Sequence, residues 1–335
     1  MKPKIDFVIT WVDCNDKKWQ KEKSKYENNN KNEKNESNSV IRYRDWETLK
    51  YWFRGIEKNA SWVNKIYFIT CGQIPKWLNT DNEKLVLVNH DDYIPEEFLP
   101  TYNSNVIELY MNRIKGLSEH FVYFNDDMYI LSKINETDFF KNGYPKDALV
   151  FNAASVYNTN TIIEHTILNN LEILSSHFDK RKIIKSNFSK VFNIKYGKSL
   201  IRSTLLLPWK YFTGVENQHI PISYLKSNWD MLWSKEEDRL NEIGKNRFRT
   251  KNDISHWIIR YWQLFNGDFY PDSYKGKEYY SLSNDNDKFF KRMKSGKIKI
   301  ACINDTDEKI EYERVKKELI NTFESIYPEK SSFER

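Results

Sequence analysis

Two apolar runs of this chain end in acidic residues, and this limits the folds that are open to it. Residues 121–124 (FVYF) predict a buried strand, and the sequence Asn-Asp-Asp follows at once at 125–127. The apolar run 5–10 is followed in the same way by Asp13. Open α/β sheets bind ligands at the carboxyl ends of their strands, so the two endings predict a ligand site at one sheet edge. Carboxylates there suit a divalent cation that holds a diphosphate.

Predicted strands alternate with predicted helices along the first part of the chain. Runs of Ile, Val, Leu and aromatic residues predict strands at 65–70 and 84–89. Helices are predicted at 45–58, with Asp45 as its cap, and at 103–119, where apolar residues recur at helical spacing. This alternation predicts a Rossmann-like α/β fold, with a mainly parallel sheet flanked by helices.

We expect the 335 residues to form a single catalytic domain. Residues 24–39 are rich in Asn, Lys, Glu and Ser and predict a mobile low-complexity loop. Residues 137–210 predict a helical insertion that is less constrained by pattern, and 300–328 predict a closing strand and a C-terminal helix. Further helical segments are predicted at 162–178, 188–196, 227–243 and 254–265.

Positive and negative charges are mixed along the sequence. The chain has 53 Lys and Arg and 47 Asp and Glu, which gives a net charge of +6, and no concentrated basic block stands out. Nucleic-acid-binding proteins usually gather positive charge on one face. We therefore expect no nucleic-acid partner.

The cysteines give information about the compartment. Cys14, Cys71 and Cys302 lie far apart, without a CxxC pair. This spacing argues against a zinc site and a disulfide framework, and it favours a reducing compartment. No apolar run approaches the ~18–20 residues needed to cross a bilayer. We expect a cytoplasmic protein, with peripheral association at the inner face of a membrane left open.

A third predicted strand, near 297–302, leads into Asn304 and the acidic residue Asp305. Asn and Asp also cap helices and open turns, so one such ending is weak evidence for a site. Three strands that each end in an acidic residue favour a functional site at these ends. The same residues occur in sequence motifs of a known family.

The chain resembles the Stealth family, which includes bacterial capsular polysaccharide phosphotransferases and the catalytic subunit of the lysosomal-enzyme GlcNAc-1-phosphotransferase. The family has four sequence blocks, and together they cover about half of this chain. The first departs from the usual pattern, because Cys14 follows the acidic residue where the family usually has glycine. The blocks are represented here by 5–13 (IDFVITWVD), a long match from 42–45 (RYRD) to 125–127 (NDD), 219–221 (HIP) with 248–249 (FR), and 302–305 (CIND).

The resemblance implies a GT-A-like core and a sugar-1-phosphate transferase. Such an enzyme moves a hexose- or N-acetylhexosamine-1-phosphate from a UDP-sugar to a hydroxyl of a glycan acceptor and releases UMP. It would act in bacterial capsular or surface polysaccharide biosynthesis, with Mg²⁺ or Mn²⁺ as cofactor. The alternatives are a conventional glycosyltransferase that releases UDP, and a glycan-binding protein without catalysis. The oligomeric state stays open.

Phosphoryl transfer is catalysed mainly by positioning and by charge stabilisation, and the blocks supply residues for both. The resemblance implies that Asp127, His219 and Arg249 are catalytic, together with Asp126 and Asp305. The three aspartates are also the expected metal ligands. An imidazole titrates near neutral pH and suits proton transfer, whereas a guanidinium binds phosphate oxygens through two parallel hydrogen bonds. Asp127 and His219 both stay open as the general base.

Further side chains are candidates for substrate contacts. Arg247 is the alternative to Arg249 as phosphate ligand. His165 and Asn169 lie outside the four blocks but would share one helix face, from which they can hydrogen-bond a sugar. The expected substrate- and nucleotide-binding residues are Asp13, Arg44, Arg113, Asn125, His165, Asn169 and Asn304.

Overall fold

The computed structural model describes residues 3–27, 45–156, 161–306 and 309–335. Its strands are β1 (Ile5–Thr10), β2 (Ile66–Thr70), β3 (Leu85–Asn89), β4 (His120–Phe124), β5 (Met128–Ile130), β6 (Phe140–Lys141), β7 (Tyr144–Asp147), β8 (Ile222–Leu225), β9 (Tyr270–Pro271), β10 (Lys277–Ser281) and β11 (Ile300–Asn304). Its α-helices are α1 (Lys17–Glu27), α2 (Leu49–Asn59), α3 (Ser104–Leu109), α4 (Ile163–His177), α5 (Lys180–Ser186), α6 (Phe188–Val191), α7 (Ser199–Leu205), α8 (Lys226–Gly244), α9 (Trp257–Asn266), α10 (Asp287–Lys294) and α11 (Tyr312–Ile326).

The central sheet has five strands in the order β3-β2-β1-β4-β8. The first four are parallel to one another, and β8 runs antiparallel to β4. In the pairing of β1 with β4, Ile9 lies opposite Phe124, so the carboxyl ends of the two strands are side by side. The predicted α/β class and the mainly parallel sheet are confirmed.

A smaller sheet brings the third acidic strand end to the same place. It has the order β10-β11-β5, and β5 begins directly after residues 125–127. Strand β11 is antiparallel to β5, with Cys302 opposite Met128, and the amide of Ile303 donates to the carbonyl of Asp127 at 2.8 Å. The endings of β1, β4 and β11 therefore converge; the strand pattern predicted this for β1 and β4, and the family resemblance implied it for the residues after β11.

Helices cover both faces of the central sheet. Val8 and Phe121 face one core, which contains side chains of α3, α4, α8 and α9. Phe7 and Phe124 face the other, which contains side chains of α2, α10 and α11. Neighbouring residues separate in this way because successive side chains of a strand point to opposite faces. None of the helices in the described ranges has the length and apolarity needed to cross a membrane.

The predicted helix at 103–119 is much shorter in the structure. Helix α3 ends at Leu109, and a 3₁₀ turn follows at Met111–Arg113. The carbonyl of Leu109 accepts hydrogen bonds from the indoles of Trp229 at 2.8 Å and Trp233 at 3.0 Å. The amide that would continue the helix, that of Arg113, bonds instead to the carbonyl of Tyr110. Packing against α8 thus ends a helix that local spacing would continue.

Other predicted elements also differ. Asp45 is not the cap of a helix at 45–58, because α2 begins at Leu49 and the Asp45 carboxylate accepts the amide of Glu47 at 2.7 Å. The predicted loop at 24–39 is wrong at its start, since α1 extends to Glu27; its remainder lies outside the described residues. The insertion at 137–210 opens with β6 and β7 before its helices, and the segment 188–196 is split into α6 and a separate 3₁₀ turn.

A buried ion pair holds the segment that leads to His219. Arg260, on α9, donates to both carboxylate oxygens of Asp147 at 2.8 Å. The same guanidinium donates to the carbonyl of Glu216 at 3.0 Å and to the side chain of Asn217 at 2.9 Å. Both ions are less than 10% exposed. Arg260 therefore connects β7 and α9 to the two residues just ahead of the site.

We expect Arg260→Met to lower the free energy of unfolding by about 3–5 kcal/mol, because it leaves the Asp147 carboxylate buried without its partner. Urea unfolding followed by circular dichroism measures the change. The double variant Arg260→Met/Asp147→Leu should regain most of the loss. As a control, Lys245→Met removes an exposed pair with Glu242 and should leave the midpoint unchanged. A single Arg260→Met variant as stable as the wild type would contradict this view of the pair.

Candidate active site

The Asp127 carboxylate is the centre of the site. Its Oδ2 lies 3.1 Å from the Cys302 Sγ and 3.6 Å from the His219 Nε2. His219 is close because β8 is antiparallel to β4, so the segment that enters β8 meets the carboxyl end of β4. The His219 side chain is 36% exposed and that of Asp127 is 22% exposed. Solvent and a substrate can therefore reach the imidazole.

The second oxygen of Asp127 has no hydrogen-bond partner among the described residues, although it is buried. A buried carboxylate oxygen without a partner costs free energy, unless a ligand or a cation completes its surroundings. Mg²⁺ and Mn²⁺ prefer oxygen ligands of this kind. The free Oδ1 therefore fits the predicted divalent cation.

Cys302 supports Asp127 and is not suited to bind Mg²⁺. Burial, together with the charge of Asp127, raises the pKa of the Cys302 thiol far above its ordinary value, so the thiol keeps its proton. That proton is donated to Asp127 Oδ2. The hydrogen bond fixes the carboxylate with Oδ1 left for a ligand. Cys302 was not among the predicted site residues, although it opens the fourth family block.

We expect Cys302→Ala to lower kcat by roughly 10- to 100-fold, because a hydrogen bond to a charged group contributes about 1.5–3 kcal/mol. Cys302→Ser keeps a donor and should retain most of the activity. Steady-state kinetics on both variants measures the difference. Cys71→Ala, at the exposed cysteine, is the control and should have no effect. Equal activity of the Ala and Ser variants would show that the thiol does not position Asp127.

Asp126 belongs to a second acidic group at the same edge. Desolvation by the surrounding protein and the charge of Asp127 raise the pKa of Asp126 to about 7. The side chain of Asp126 is accessible to solvent at this edge. The charge of Asp45 also acts on Asp126, and burial raises the pKa of Asp45 itself. Asp45 is thus a site residue that the sequence analysis took for a helix cap, although it ends the RYRD motif.

Asp13 is held in place by Gln73. The Asp13 amide donates to Gln73 Oε1 at 2.8 Å, and Gln73 Nε2 donates back to the Asp13 carbonyl at 2.9 Å. The Asp13 carboxylate accepts the amide of Asn15 at 2.9 Å and contributes to the charge around Asp45. Asp13 therefore belongs with Asp45 and Asp126 to the second acidic group of the edge.

Arg249 approaches the site from a rigid loop. Its Nε donates to Ser104 Oγ at 3.1 Å, and its charge acts on His219. The loop is anchored by the fully buried Asp253. This carboxylate accepts hydrogen bonds from Asn103, Asn105 and Asn246 and from both the amide and the hydroxyl of Thr250.

The alternative arginine is engaged elsewhere. Arg247 Nη1 donates to the carbonyl of Pro100 at 2.6 Å, and its guanidinium lies 4.8 Å from the ring centre of Tyr26. Of the two arginines, Arg249 is therefore the one whose charge acts on His219.

A buried polar network lies behind His219 and Arg249. Glu108 accepts a hydrogen bond from the Tyr123 hydroxyl at 3.0 Å and lies 3.7 Å from His256. Burial raises the pKa of Glu108 to about 7 against the opposing charge of Arg249, and burial lowers that of His256 to about 3. This network is not apparent in the sequence, because each member lies within a stretch that is otherwise apolar.

The charge of His219 is set by two opposing effects. Burial lowers its pKa, but the attraction of the Asp127 carboxylate outweighs burial, so the pKa lies above the ordinary value for histidine. Asp127 thus favours the protonated imidazole. This is the behaviour required of a base that must take up a proton and stabilise it.

Two predicted contacts are not brought to the site. Arg113 is exposed, and its guanidinium stacks on the rings of Tyr110 and Trp233 at 4.8 and 4.5 Å, before the amino end of β4. Asn169 donates to the carbonyls of Lys251 and Asp253 at 2.8 and 2.9 Å. Its amide group therefore supports the Arg249 loop and is not directed to a sugar.

The remaining candidates occupy the edge or lie apart from it. Asn125 directs its amide to Met128 Sδ in the turn after β4, and Asn304 donates to the Tyr279 hydroxyl at 2.9 Å. Asp305 accepts the amide of Thr306 at 2.7 Å just beyond β11. His165 lies on α4, one turn before Asn169. Arg44 lies outside the described residues.

Fold and site together define an α/β protein with an acidic sheet edge that His219 faces and on whose imidazole the charge of Arg249 acts. Comparison with family descriptions identifies three regions: Stealth protein CR1, conserved region 1, at residues 3–31; CR2, conserved region 2, at 42–148; and CR4, conserved region 4, at 292–335. The chain belongs to the Stealth family. The matched regions carry Asp13, Asp127 and Asp305, whereas His219 and Arg249 lie between them.

Full-length relatives agree with this assignment. The chain is 48% identical over 331 residues to a capsular polysaccharide phosphotransferase, WcwK, of Streptococcus pneumoniae, covering 99% of this chain and 98% of that protein. It is 41% identical over 338 residues to a receptor polysaccharide phosphotransferase, WefC, of Streptococcus gordonii, covering all of both. The predicted family and the predicted enzyme class, a phosphotransferase, are confirmed.

Among solved structures, the apo form of the bifunctional glycosyltransferase WbbM corresponds loosely to this fold. The TM-score is 0.36 at 10% sequence identity, over 96% of this chain and 50% of that one.

Proposed function

We propose that this enzyme transfers a hexose- or N-acetylhexosamine-1-phosphate from a UDP-sugar to a hydroxyl of a glycan acceptor, with release of UMP, in capsular or surface polysaccharide biosynthesis. The observation that carries the proposal is the imidazole of His219 next to the Asp127 carboxylate at the acidic sheet edge. The names of the relatives, which are polysaccharide phosphotransferases, support the substrate class.

In the proposed reaction, the acceptor oxygen attacks the β-phosphorus of the donor. A new bond forms between that oxygen and phosphorus, the bond from phosphorus to the bridging oxygen breaks, and UMP leaves with the electron pair. His219 is the better placed base, because Asp127 Oδ2 already accepts the Cys302 proton. It takes the hydroxyl proton while Asp127 stabilises the imidazolium. Arg249 binds the phosphate oxygens and offsets their growing charge.

Asp127, through Oδ1, would hold Mg²⁺ or Mn²⁺ in this proposal. The three predicted aspartate ligands are not gathered closely enough to share one ion, since the potential ligands near Asp127 in the described residues belong to His219 and Cys302. Asp126 and Asp305 would therefore have to move towards Asp127 when the ion binds. When bound, the cation neutralises charge on the diphosphate. Asp13 and Asn304, at the two borders of the edge, would contact the nucleotide and the sugar phosphate. A glycan-binding protein without catalysis is disfavoured, because a buried carboxylate oxygen without a partner costs free energy. Binding of a neutral glycan does not require a carboxylate in that state.

The proposal also places the enzyme in the cytoplasm, at the inner face of the bacterial membrane. UDP-sugars are cytoplasmic metabolites, so the donor is available there. The acceptor would be a growing glycan on that side of the membrane.

Nucleotide release tests the function. The purified protein is incubated with magnesium, a panel of UDP-sugars and a crude surface-glycan acceptor, and nucleotides are separated by chromatography. UMP that appears only with both acceptor and the correct donor is the expected result, and chelation of the metal should abolish it. Release of UDP would instead identify a conventional glycosyltransferase and overturn the proposal.

A further inference from the structure

The helical insertion exposes a cluster of large apolar side chains. The six most exposed large hydrophobic residues in the described part of the chain all lie between 188 and 211. Their exposed fractions run from 56% for Trp209 to 88% for Ile194. Large apolar side chains that are exposed at such density along a chain point to a contact with a partner or a membrane. The six residues are Phe188, Ile194, Ile201, Leu205, Trp209 and Tyr211.

These side chains belong to one packed unit. Ile201 and Leu205 are one turn apart on α7 and therefore project from the same side of the helix. Lys180, at the start of α5, is buried and donates to the carbonyls of Leu206 at 2.7 Å and Trp209 at 2.9 Å. The bonds fasten α5 to the chain that follows α7. We call the exposed side chains of residues 180–211 the insertion surface.

The insertion surface is strongly basic. Between residues 180 and 211 the sequence has nine Lys and Arg and no Asp or Glu. The expectation that the chain has no concentrated basic block was therefore wrong, because acidic residues elsewhere bring the total charge close to balance. The exposed cations of the insertion surface are Arg181, Lys182, Lys185, Lys195, Lys198 and Lys210.

We propose that the insertion surface binds the face of a bilayer that contains anionic phospholipid. Exposed aliphatic and aromatic side chains can enter the headgroup and acyl boundary, while neighbouring cations bind the lipid phosphates. A second copy of the chain fits less well, because a contact between two such surfaces would bring like charges together. Nucleic acid also fits less well, because its phosphates would bind the cations but would leave the side chains of Ile194, Ile201 and Leu205 exposed.

An apolar groove extends the insertion surface towards α4. It has a volume of about 500 Å³, and its lining includes Leu168, Leu171, Leu206, Trp209 and Phe212. Leu168 is itself 41% exposed at the rim. An acyl chain that enters between α4 and the end of α7 would find apolar walls there.

The insertion surface lies only a few residues before His219 in the chain. Residue 211 is followed within a few residues by Glu216 and Asn217, which Arg260 holds, and then by His219. Contact with a bilayer would therefore place the candidate base near the membrane. This inference does not depend on which bond the enzyme breaks.

Vesicle co-sedimentation of the full chain tests the inference. The probes are vesicles of phosphatidylcholine with and without phosphatidylglycerol. The wild type is expected to sediment with the anionic vesicles, to stay in solution with the neutral ones, and to be released by high salt. Failure of the wild type to bind anionic vesicles would overturn the proposal.

Two variants separate the charge contribution from the apolar one. Lys182→Glu/Lys185→Glu/Lys198→Glu should lower the partition coefficient at least about a hundredfold, since each cation near an anionic surface contributes about fivefold. Ile201→Ser/Leu205→Ser should lower it about tenfold or more. Both sets are exposed, so the urea midpoint and the release of nucleotide with a water-soluble acceptor should stay at wild-type values.

Helix α10 provides the matched control. Lys288→Glu/Lys291→Glu/Lys294→Glu makes the same change of charge on a basic helix whose apolar residues Phe289 and Met293 are buried. This variant should keep most of the binding. If this variant lost as much binding as Lys182→Glu/Lys185→Glu/Lys198→Glu, the net charge of the protein would explain the loss. The proposal that the insertion surface binds the bilayer would then be overturned. Light scattering without lipid is the second control, and a dimer that Ile201→Ser/Leu205→Ser converts to a monomer would show that a second copy covers the surface.

Discussion

Asp127→Asn is expected to reduce turnover by about a thousandfold, the cost of losing one well-placed electrostatic group from an active site. The variant keeps the shape of the side chain but removes the charge that attracts His219 at 3.6 Å. It also removes the buried oxygen that fits a cation. Steady-state nucleotide release measures the loss. Turnover above a tenth of the wild-type rate would remove Asp127 from the mechanism.

The same substitution should leave the protein at least as stable as the wild type. Desolvation and, after it, the repulsion by the Asp127 charge raise the pKa of Asp126 to about 7, and one Asp127 oxygen is buried without a partner. Removal of the charge ends the repulsion, and a neutral amide costs less than a charged oxygen at the buried position, so the urea midpoint should hold or rise, and the pKa of Asp126 should fall. Asp81→Asn, on an exposed turn, is the control and should change neither activity nor stability. A destabilised Asp127→Asn variant would show that the carboxylate serves the fold.

His219→Ala should lower kcat by about 10²–10⁴-fold, the usual contribution of a general base. KM for the UDP-sugar should change little, because in this account Arg249 and the acidic edge hold the diphosphate. The exposed fraction of the imidazole leaves room for a small molecule in the space that the variant opens. Added imidazole should therefore restore part of kcat.

A second histidine provides the control for His219→Ala, because its substitution also removes an imidazole but does so away from the site. His120 lies at the amino end of β4, opposite the site, and its Nε2 bonds to the carbonyl of Gly143 at 2.9 Å. His120→Ala should retain activity. If His219→Ala raised KM while leaving kcat unchanged, His219 would be a substrate-binding residue and Asp127 the better candidate for the base.

The sheet and its acidic edge could be predicted because their signals are local. Each parallel strand is a short apolar run, and parallel neighbours necessarily end at the same edge, so Asp13 and Asp127 could be placed together before any contact was known. The position of β11 was less evident. It depends on antiparallel pairing with β5, a three-residue strand that sequence patterns do not reveal.

The parts that could not be predicted depend on contacts between distant segments. The end of α3 is set by two indoles about 120 residues further along the chain. Asn169 suits a sugar contact on a helical wheel, but its partners are carbonyls of the Arg249 loop. Asp45 and Glu108 become site residues only through burial and nearby charge, and neither can be read from sequence spacing.

The fate of the β-phosphorus tests the central claim most directly. A UDP-sugar labelled with ³²P in the β-phosphate is incubated with the enzyme, magnesium and acceptor glycan, and polymer and free nucleotide are separated and counted. We predict that the label enters the glycan as a phosphodiester, in equal amount to the UMP released, which carries none of it. Label recovered in UDP, with unlabelled sugar added to the glycan, would contradict sugar-1-phosphate transfer.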